Sequence, residues 1–524
     1  MKRIFNDVGL SVPDRHYCVD RSSVVERLML LVDRGAYVTM KSPRQSGKSS
    51  LLYNLQQELQ AHDQYVALLI DWGQVDRESL AQQRTFIDTF LRLVYTELVF
   101  WGWAEQALFV AQQEGRTWTM VALSGVVTRL MEMMPAEKQL VLLVDGGEKG
   151  ADYQPFVDWL EMLAHKYWER DRGRAGTWQS VVVVSERDLA GGTMVAGSSG
   201  GGEGVWSWSV GTALVVDLSL TVAEVAGMLL AYSQEREVAL ERGEIAGRIH
   251  YYTAGQPVLV NQMCRLIDEE ILPSRRNKGW LVADVDEAFR QMVSGERLVA
   301  WVVWVIDLLE RHRDLYSLVQ KIVLQGEQVS LMGSERVIRL GGEAGVLVAA
   351  EDGWQVANRV VEQGIYGHMM VKMLLRGEGM VLDGVTFFDG SGRLDMNRVV
   401  RYFQVFVQKM AGERGRGVGH QQGRLLFLGY LQLILKGRGR CFKERHEGVE
   451  RRLSLRLEVG EQREVVQIKQ WCGGDAHEAG LERLGDYLKE WGIERGFVFI
   501  FGGKGEMKDG LLKRKGREIV VVWG

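Results

Sequence analysis

Residues 37–52 read Tyr37-Val38-Thr39-Met40-Lys41-Ser42-Pro43-Arg44-Gln45-Ser46-Gly47-Lys48-Ser49-Ser50-Leu51-Leu52. The apolar run from Tyr37 to Met40 predicts a strand, and Leu51, Leu52 and Leu55 fall at helical spacing. A strand, a tight loop ending Gly-Lys-Ser and a helix make a phosphate-binding loop. A helix N-terminus offers unpaired N–H groups and partial positive charge, so it attracts phosphate. Gly47 lets the backbone come close to the phosphates. Lys48 is placed to reach the β- and γ-phosphates, and the Ser49 hydroxyl to ligate Mg²⁺, with Ser46 and Ser50 beside them. The usual pattern opens with Gly five residues before the Gly-Lys pair. Ser42 stands there instead, and with Pro43 it predicts a stiffer loop. The competing reading is a surface Ser/Lys turn ahead of a helix.

A chain of 524 residues is expected to form about three to four domains. With 46% hydrophobic and 25% charged residues it has the composition of a globular protein. Cys18, Cys264, Cys441 and Cys472 are scattered and make no CxxC pair, which excludes a sequence-local zinc site and fits a reducing compartment. The start, Met1 to Asp7, has no secretory apolar core, and apolar runs such as 298–306 are too short to span a bilayer. A cytoplasmic location is the expectation. Net charge is −4, yet residues 397–457 hold fourteen Lys/Arg against four Asp/Glu, a local balance of +10. Such a segment is either a nucleic-acid surface or a solvated face.

Outward from the loop, strands and helices alternate. Strands are predicted at 65–70, 140–144, 180–184 and 214–218, with helices at 79–101, 120–134 and 153–168. Near-continuous apolar strands with helices between them predict an α/β fold with a parallel sheet covered on both faces. Ligands of such sheets sit at the carboxyl ends of the strands, where Lys48, Asp145 and Ser185 would gather. Residues 191–204, with seven glycines, predict a flexible excursion. Thr221 with Glu224 predicts a helix start with a capping box, and helices continue to about 270 and over 284–293. Helices with a hairpin at 346–349 and 354–357 predict a winged-helix-like module. Helices at 395–411 and 423–436 lead into a tail with strands at 451–459, 463–469, 496–501 and 518–523 and a helix at 477–491.

Val141-Leu142-Leu143-Val144-Asp145 is an apolar strand ending in a carboxylate, the pattern that holds Mg²⁺ through water; the alternative for Asp145 is a strand-end turn residue. A hydrolytic site of this kind usually has Glu next, to orient the attacking water. Here Gly146 and Gly147 follow, and Glu148 is the nearest candidate. Ser185-Glu186-Arg187-Asp188 ends the next strand, where Arg187 could stabilise γ-phosphate charge or simply lie in an exposed turn.

Phe5-Asn6 through His16-Tyr17-Cys18, followed by Pro43-Arg44-Gln45-Ser46-Gly47-Lys48-Ser49-Ser50-Leu51-Leu52, resembles the opening of bacterial AAA-like, STAND-related ATP-binding proteins. Tyr252-Thr253-Ala254-Gly255-Gln256-Pro257-Val258-Leu259-Val260-Asn261 resembles their helical-lid segment, and Gly392-Arg393-Leu394-Asp395-Met396 a further family segment. The resemblance implies ATP and Mg²⁺ as ligands, with Gly255 and Pro257 over the nucleotide base. It also implies a P-loop core at 1–220, a helical lid at 221–295, a winged-helix-like module at 296–375, and a C-terminal α/β domain at 394–524 like the PD-(D/E)XK restriction endonucleases. In that last domain Ser454 and Gln467 stand where the metal-binding carboxylates align, and only Lys469 of the pattern remains. A serine and a neutral amide hold a hard cation poorly. Three functions follow: a nucleotide-dependent switch with slow ATP hydrolysis, an ATP-gated metal-dependent nuclease, and a non-catalytic nucleic-acid binder using 397–457.

Overall fold

The computed structural model describes residues 2–524 apart from 151–152, 173–175, 187–188, 190–209, 276–278, 294–299, 326–334, 351–352, 375–385, 391, 415–419, 436–439, 445–452, 472 and 502–508. The chain divides into two compact units: Met1–His250 with Gly255–Arg265, and Tyr251–Ala254 with Leu266–Gly524. The helical segment expected at 221–295 is shared between them.

In chain order the first unit is built from α1 (Ser22–Asp33), β1 (Tyr37–Lys41), α2 (Lys48–Ala61), β2 (Tyr65–Asp71), α3 (Arg77–Ala81), α4 (Gln83–Phe100), α5 (Ala104–Ala111), α6 (Met120–Glu132), β3 (Gln139–Asp145), α7 (Gly147–Gly150), α8 (Gln154–Asp171), β4 (Ser180–Ser185), β5 (Gly211–Val215), α9 (Val222–Arg236) and most of α10 (Arg242–Thr253) and α11 (Pro257–Leu266), whose last residues, Tyr251–Thr253 and Leu266, count with the second unit. The five strands pair in parallel in the order β2-β3-β4-β1-β5. Crossover helices cover both faces, so strand residues alternate between two cores. Val66, Leu68, Ile70, Leu142, Val144, Val181 and Val183 pack with Phe86, Phe90, Leu123, Val127, Trp159 and Leu163 of α4, α6 and α8. Val38, Met40, Val141, Leu143, Val182 and Val184 pack with Val25, Leu28, Leu51, Leu52 and Leu55 of α1 and α2.

Trp72, just past β2, stacks on Phe86 with centroids 4.7 Å apart and is fully buried. Thr221 caps α9 and forms the full capping box with Glu224. β5 runs Gly211–Val215 and so begins and ends three residues before the 214–218 predicted. The glycine-rich excursion expected at 191–204 lies outside the described residues.

The second unit contains α12 (Val282–Val293), α13 (Ala300–Arg311), α14 (Arg313–Gln325), α15 (Glu335–Glu343), β6 (Leu347–Ala350), β7 (Gly353–Val356), α16 (Arg359–Leu374), α17 (Met396–Arg414), α18 (His420–Leu435), β8 (Arg440–Glu444), β9 (Leu453–Val459), β10 (Gln462–Gln470), α19 (Gly474–Glu490), β11 (Arg495–Phe501), β12 (Gly510–Arg514) and β13 (Arg517–Trp523). β6 and β7 form an antiparallel hairpin. The larger sheet runs β12-β13-β11-β10-β9-β8, parallel at β10–β11 and β11–β13 and antiparallel elsewhere. Leu481, Leu484 and Leu488 of α19 fill one face. On the other, Phe403 of α17 and Phe427 of α18 meet edge-on at 4.9 Å, and Phe403 meets Phe499 at 5.0 Å. The Gly392–Met396 segment is structural: Leu394 exchanges two 2.8 Å hydrogen bonds with the Gln462 side chain, and Asp395 accepts from Arg398 N–H at 3.1 Å at the start of α17.

No described helix is long and apolar enough to cross a membrane. Neither Cys18 nor Cys264 is in a disulfide.

Candidate nucleotide site

β1 delivers the chain to the loop at Lys41, level with Ser185 of β4. Ser42 N–H then donates to Ser185 O at 3.1 Å, which fixes the first residue of the loop against β4. The Ser42 hydroxyl donates to Ser46 Oγ at 2.8 Å, both groups being buried. A glycine at 42 would lack this clasp, so the departure from the usual pattern exchanges flexibility for a bond across the loop. Two residues take left-handed backbone, Gln45 at φ +58° and Gly47 at φ +93°. The second is the turn into α2, and glycine adopts it without a Cβ penalty. Lys48, 8% exposed, donates from Nζ to Pro43 O at 2.7 Å, so its ammonium group lies across the loop mouth. Ser49 is exposed in the first turn of α2. Ser50 faces another way: its Oγ accepts from Ser11 N–H at 3.1 Å.

Asp145 ends β3 on the same sheet edge, and its Oδ1 accepts from Gly146 N–H at 2.9 Å. Alternation along β3 sends Asp145 to the face of Val141 and Leu143, where α2 lies. An exposed serine hydroxyl and a strand-end carboxylate are hard oxygen donors suited to Mg²⁺, which takes one or two protein oxygens and completes its shell with water and phosphate. Among the described residues no group of three or more His, Cys, Asp or Glu is placed to hold a metal.

Gly146 is closed to any side chain. Its φ is +73°, and a Cβ there would stand 2.5 Å from Gly73 N and 3.1 Å from Gly73 Cα. The short 3-10 turn Trp72–Gln74 crosses the end of β3 at this point. Its position is also held by Lys149, whose Nζ donates to Gly73 O at 2.9 Å. Glu148 sits on α7, with its side chain outside the described residues, and Arg187 lies outside them altogether. Sequence reading missed Asp71, which ends β2 in direct register with Asp145. Its Oδ1 accepts from Gly73 N–H at 2.7 Å and its Oδ2 from Gln74 Nε2 at 3.0 Å. The available signal was a second apolar strand, Tyr65–Ile70, also ending in Asp.

The segment 3–21 straps the loop helix to α9 and α11. Phe5 and Tyr17 are buried with Tyr232 of α9 at centroid distances of 4.8, 5.1 and 5.4 Å. Arg3 grips Glu235 through its backbone N–H and Nε, each at 2.8 Å. Arg21 pairs with Glu224 at 2.8 Å and donates to Leu218 O at 2.7 Å. Asp7 pairs with Arg265 at 2.9 Å. Asn6 and His16 shape the strap itself, Asn6 Nδ2 donating to Leu10 O at 3.0 Å and His16 Nδ1 accepting from Val12 N–H at 2.9 Å. Burial, then the Arg15 charge, lowers the His16 pKa, in the direction that favours the accepting ring nitrogen.

Gly255 also serves packing. At φ +73° a Cβ would stand 2.0 Å from Leu220 O, and Leu220 N–H donates to Gly255 O at 2.7 Å. Pro257 opens α11, where its missing N–H costs nothing. The turn is thus clamped to the chain leaving β5, the strand beside β1.

Residues 11–185 match the family model of the AAA-like domain. No curated protein matches the chain. Among solved structures it is similar to the Walker-type ATPase PABY2304 of Pyrococcus abyssi, at 14% identity over 69% of this chain and 99% of that one, with a TM-score of 0.49. The RuvB Holliday junction branch migration motor of Thermotoga maritima is 14% identical over 67% of this chain and 95% of that one, TM-score 0.35. Cdc6p of Pyrobaculum aerophilum is 13% identical over 68% and 95%, TM-score 0.33. Residues 11–185 thus carry an AAA-like domain, the match falling on the parallel sheet and phosphate-binding loop described above.

Proposed function

We propose that this protein is an ATP-binding switch of the STAND-related, AAA-like kind, in which Mg²⁺-ATP on the loop sets the position of helices α9 and α11. The observation that carries the reading is the loop itself: left-handed Gly47 at the head of α2, with Lys48 Nζ held across the mouth by Pro43 O at 2.7 Å. A triphosphate would take over that ammonium group. Ser46, Gly47 and Ser49 would line the phosphates, with Ser50 turned to the strap instead; Ser49 and Asp145 would hold Mg²⁺, and Gly255 and Pro257 would flank the base. The strap supports the switch, because it touches α2 one residue beyond Ser49 and grips α9 and α11 at its other contacts. Bound Mg²⁺ would supply charge neutralisation at the phosphates. Turnover is expected to be slow, since no glutamate follows Asp145.

For 394–524 we propose a nuclease-like fold without metal chemistry. Gln467 and Ser454 are cross-strand partners, so the two positions aligned with carboxylates lie side by side and carry none. Buried Lys469 follows two residues on along β10. Of the basic residues in 397–457, Arg456 is spent within the protein, stacking on Trp491 at 4.2 Å and facing Glu458, whereas Arg398 and Arg401 are exposed on α17.

Isothermal titration calorimetry with Mg²⁺-ATP tests the central reading. The wild type should bind, and Lys48→Ala, checked for native circular dichroism, should not. Equal affinity in the two proteins rejects the assignment.

A further inference from the structure

A P-loop ATPase needs a group that orients the attacking water, and residue 146 cannot supply one here. Its backbone is left-handed and the space for a side chain is filled by the Gly73 backbone. The same Gly73 N–H that fills it is hydrogen-bonded, at 2.7 Å, to Asp71 Oδ1. A carboxylate therefore stands one backbone N–H away from the place a residue-146 side chain would start. Asp71 ends β2 in register with Asp145, and neighbouring strands are about 4.8 Å apart. Alternation along β2 puts it on the face of Ala67 and Leu69, where α2, the helix that the phosphate loop opens, packs. Its two oxygens each accept one hydrogen bond, from Gly73 N–H and Gln74 Nε2, which fixes the carboxylate's orientation. A carboxylate oxygen has a second lone-pair direction left for water.

We propose that Asp71 is the water-orienting carboxylate of this site, supplied from β2 in place of the residue after Asp145. The inference rests on the ATP reading above and extends it to hydrolysis. In the step it serves, the water oxygen bonds to the γ-phosphorus while the bond from that phosphorus to the β–γ bridging oxygen breaks. ADP leaves with the electron pair. The water proton passes to the Asp71 carboxylate and from there to the released phosphate. The same geometry explains the glycine directly after Asp145: the turn that carries Asp71's partners, Gly73 and Gln74, crosses the end of β3, and only a residue without Cβ at 146 lets it pass.

The experiment measures phosphate release and ATP affinity separately on the full chain. Asp71→Asn keeps an acceptor oxygen for Gly73 N–H and removes the charge. Asp71→Ser keeps a helix-capping oxygen and serves if the first variant fails to fold. Either should bind ATP as the wild type does while kcat falls by about 100-fold, the scale of a lost general base. Asp71→Glu, which retains the carboxylate, should recover part of the rate. A purely structural cap would shift melting and leave kcat untouched. Unchanged kcat in folded Asn and Ser variants overturns the proposal, as does a wild type that binds ATP with no turnover above background. That last result leaves the binding reading standing, whereas absence of ATP binding in the wild type removes both.

Discussion

A methyl group added at residue 146 would meet the Gly73 backbone at 2.5 Å, in a conformation that L-residues adopt at a cost of about 1–2 kcal/mol. Gly146→Ala should therefore lose at least about 2 kcal/mol, read as a lowered midpoint in urea unfolding. Installing the expected glutamate there should destabilise the fold without raising turnover. This is also where the sequence was least legible. Lys48, Ser49 and Asp145 are announced by local pattern, because a phosphate loop and an apolar strand end are short-range features. Gly146 reads only as a missing carboxylate until the 3-10 turn from another strand is seen against it, and Asp71 gains meaning only from strand register. A second residue-scale outcome concerns Cys18. Burial pushes its thiol up to about 11 from the ordinary 9.0, against the pull of the Arg3 charge. The folded state thus favours the protonated form. Any stability this contributes is complete below the ordinary value and is lost as pH rises through about 11. At pH 8 iodoacetamide should modify Cys18, followed by peptide mass spectrometry, far more slowly in the folded chain than in urea.

At the scale of elements, the first unit's strands, the loop helix and the Thr221 capping box were all readable, since apolar runs and caps are local signals. The exceptions have physical causes. β5 follows a glycine-rich stretch and carries only a short apolar run, so its bounds lie three residues before the predicted ones. β12 is an edge strand with exposed Leu511 and the polar Lys513 and Arg514, and it lacks the alternation that marks a half-buried strand. α5 packs on α4 and merged with no predicted element. Thr221→Ala removes an acceptor for the Glu224 N–H and should cost about 1 kcal/mol in thermal unfolding. Gly255→Ala should cost more, because its Cβ would lie 2.0 Å from Leu220 O, and it should loosen α11 to proteolysis sooner than β1. The Phe-Asn and His-Tyr signature was legible as a resemblance but not as a mechanism. Its aromatic residues find Tyr232, more than two hundred positions away, and no local pattern encodes that.

For the whole molecule, the division into two compact units predicts that nucleotide acts unequally on them. A ligand at about 100 times its Kd stabilises the state that binds it by about 2.7 kcal/mol. In hydrogen exchange, Mg²⁺-ATP should slow amides of β1, α2 and β3 and leave those of β10, β11 and α19 unchanged; equal protection in both sheets would contradict a site confined to the first unit. The strap carries one more consequence, in the order of synthesis. Arg3 and its partner Glu235 are 232 positions apart. At about 5–20 residues per second the ribosome takes on the order of tens of seconds to cover that interval. Throughout it, Phe5 and Tyr17 have no Tyr232 to cover them, although the phosphate loop has already emerged. The nascent chain holds its signature aromatics exposed until α9 arrives, which makes the opening segment a natural place for a chaperone to hold the unfinished protein.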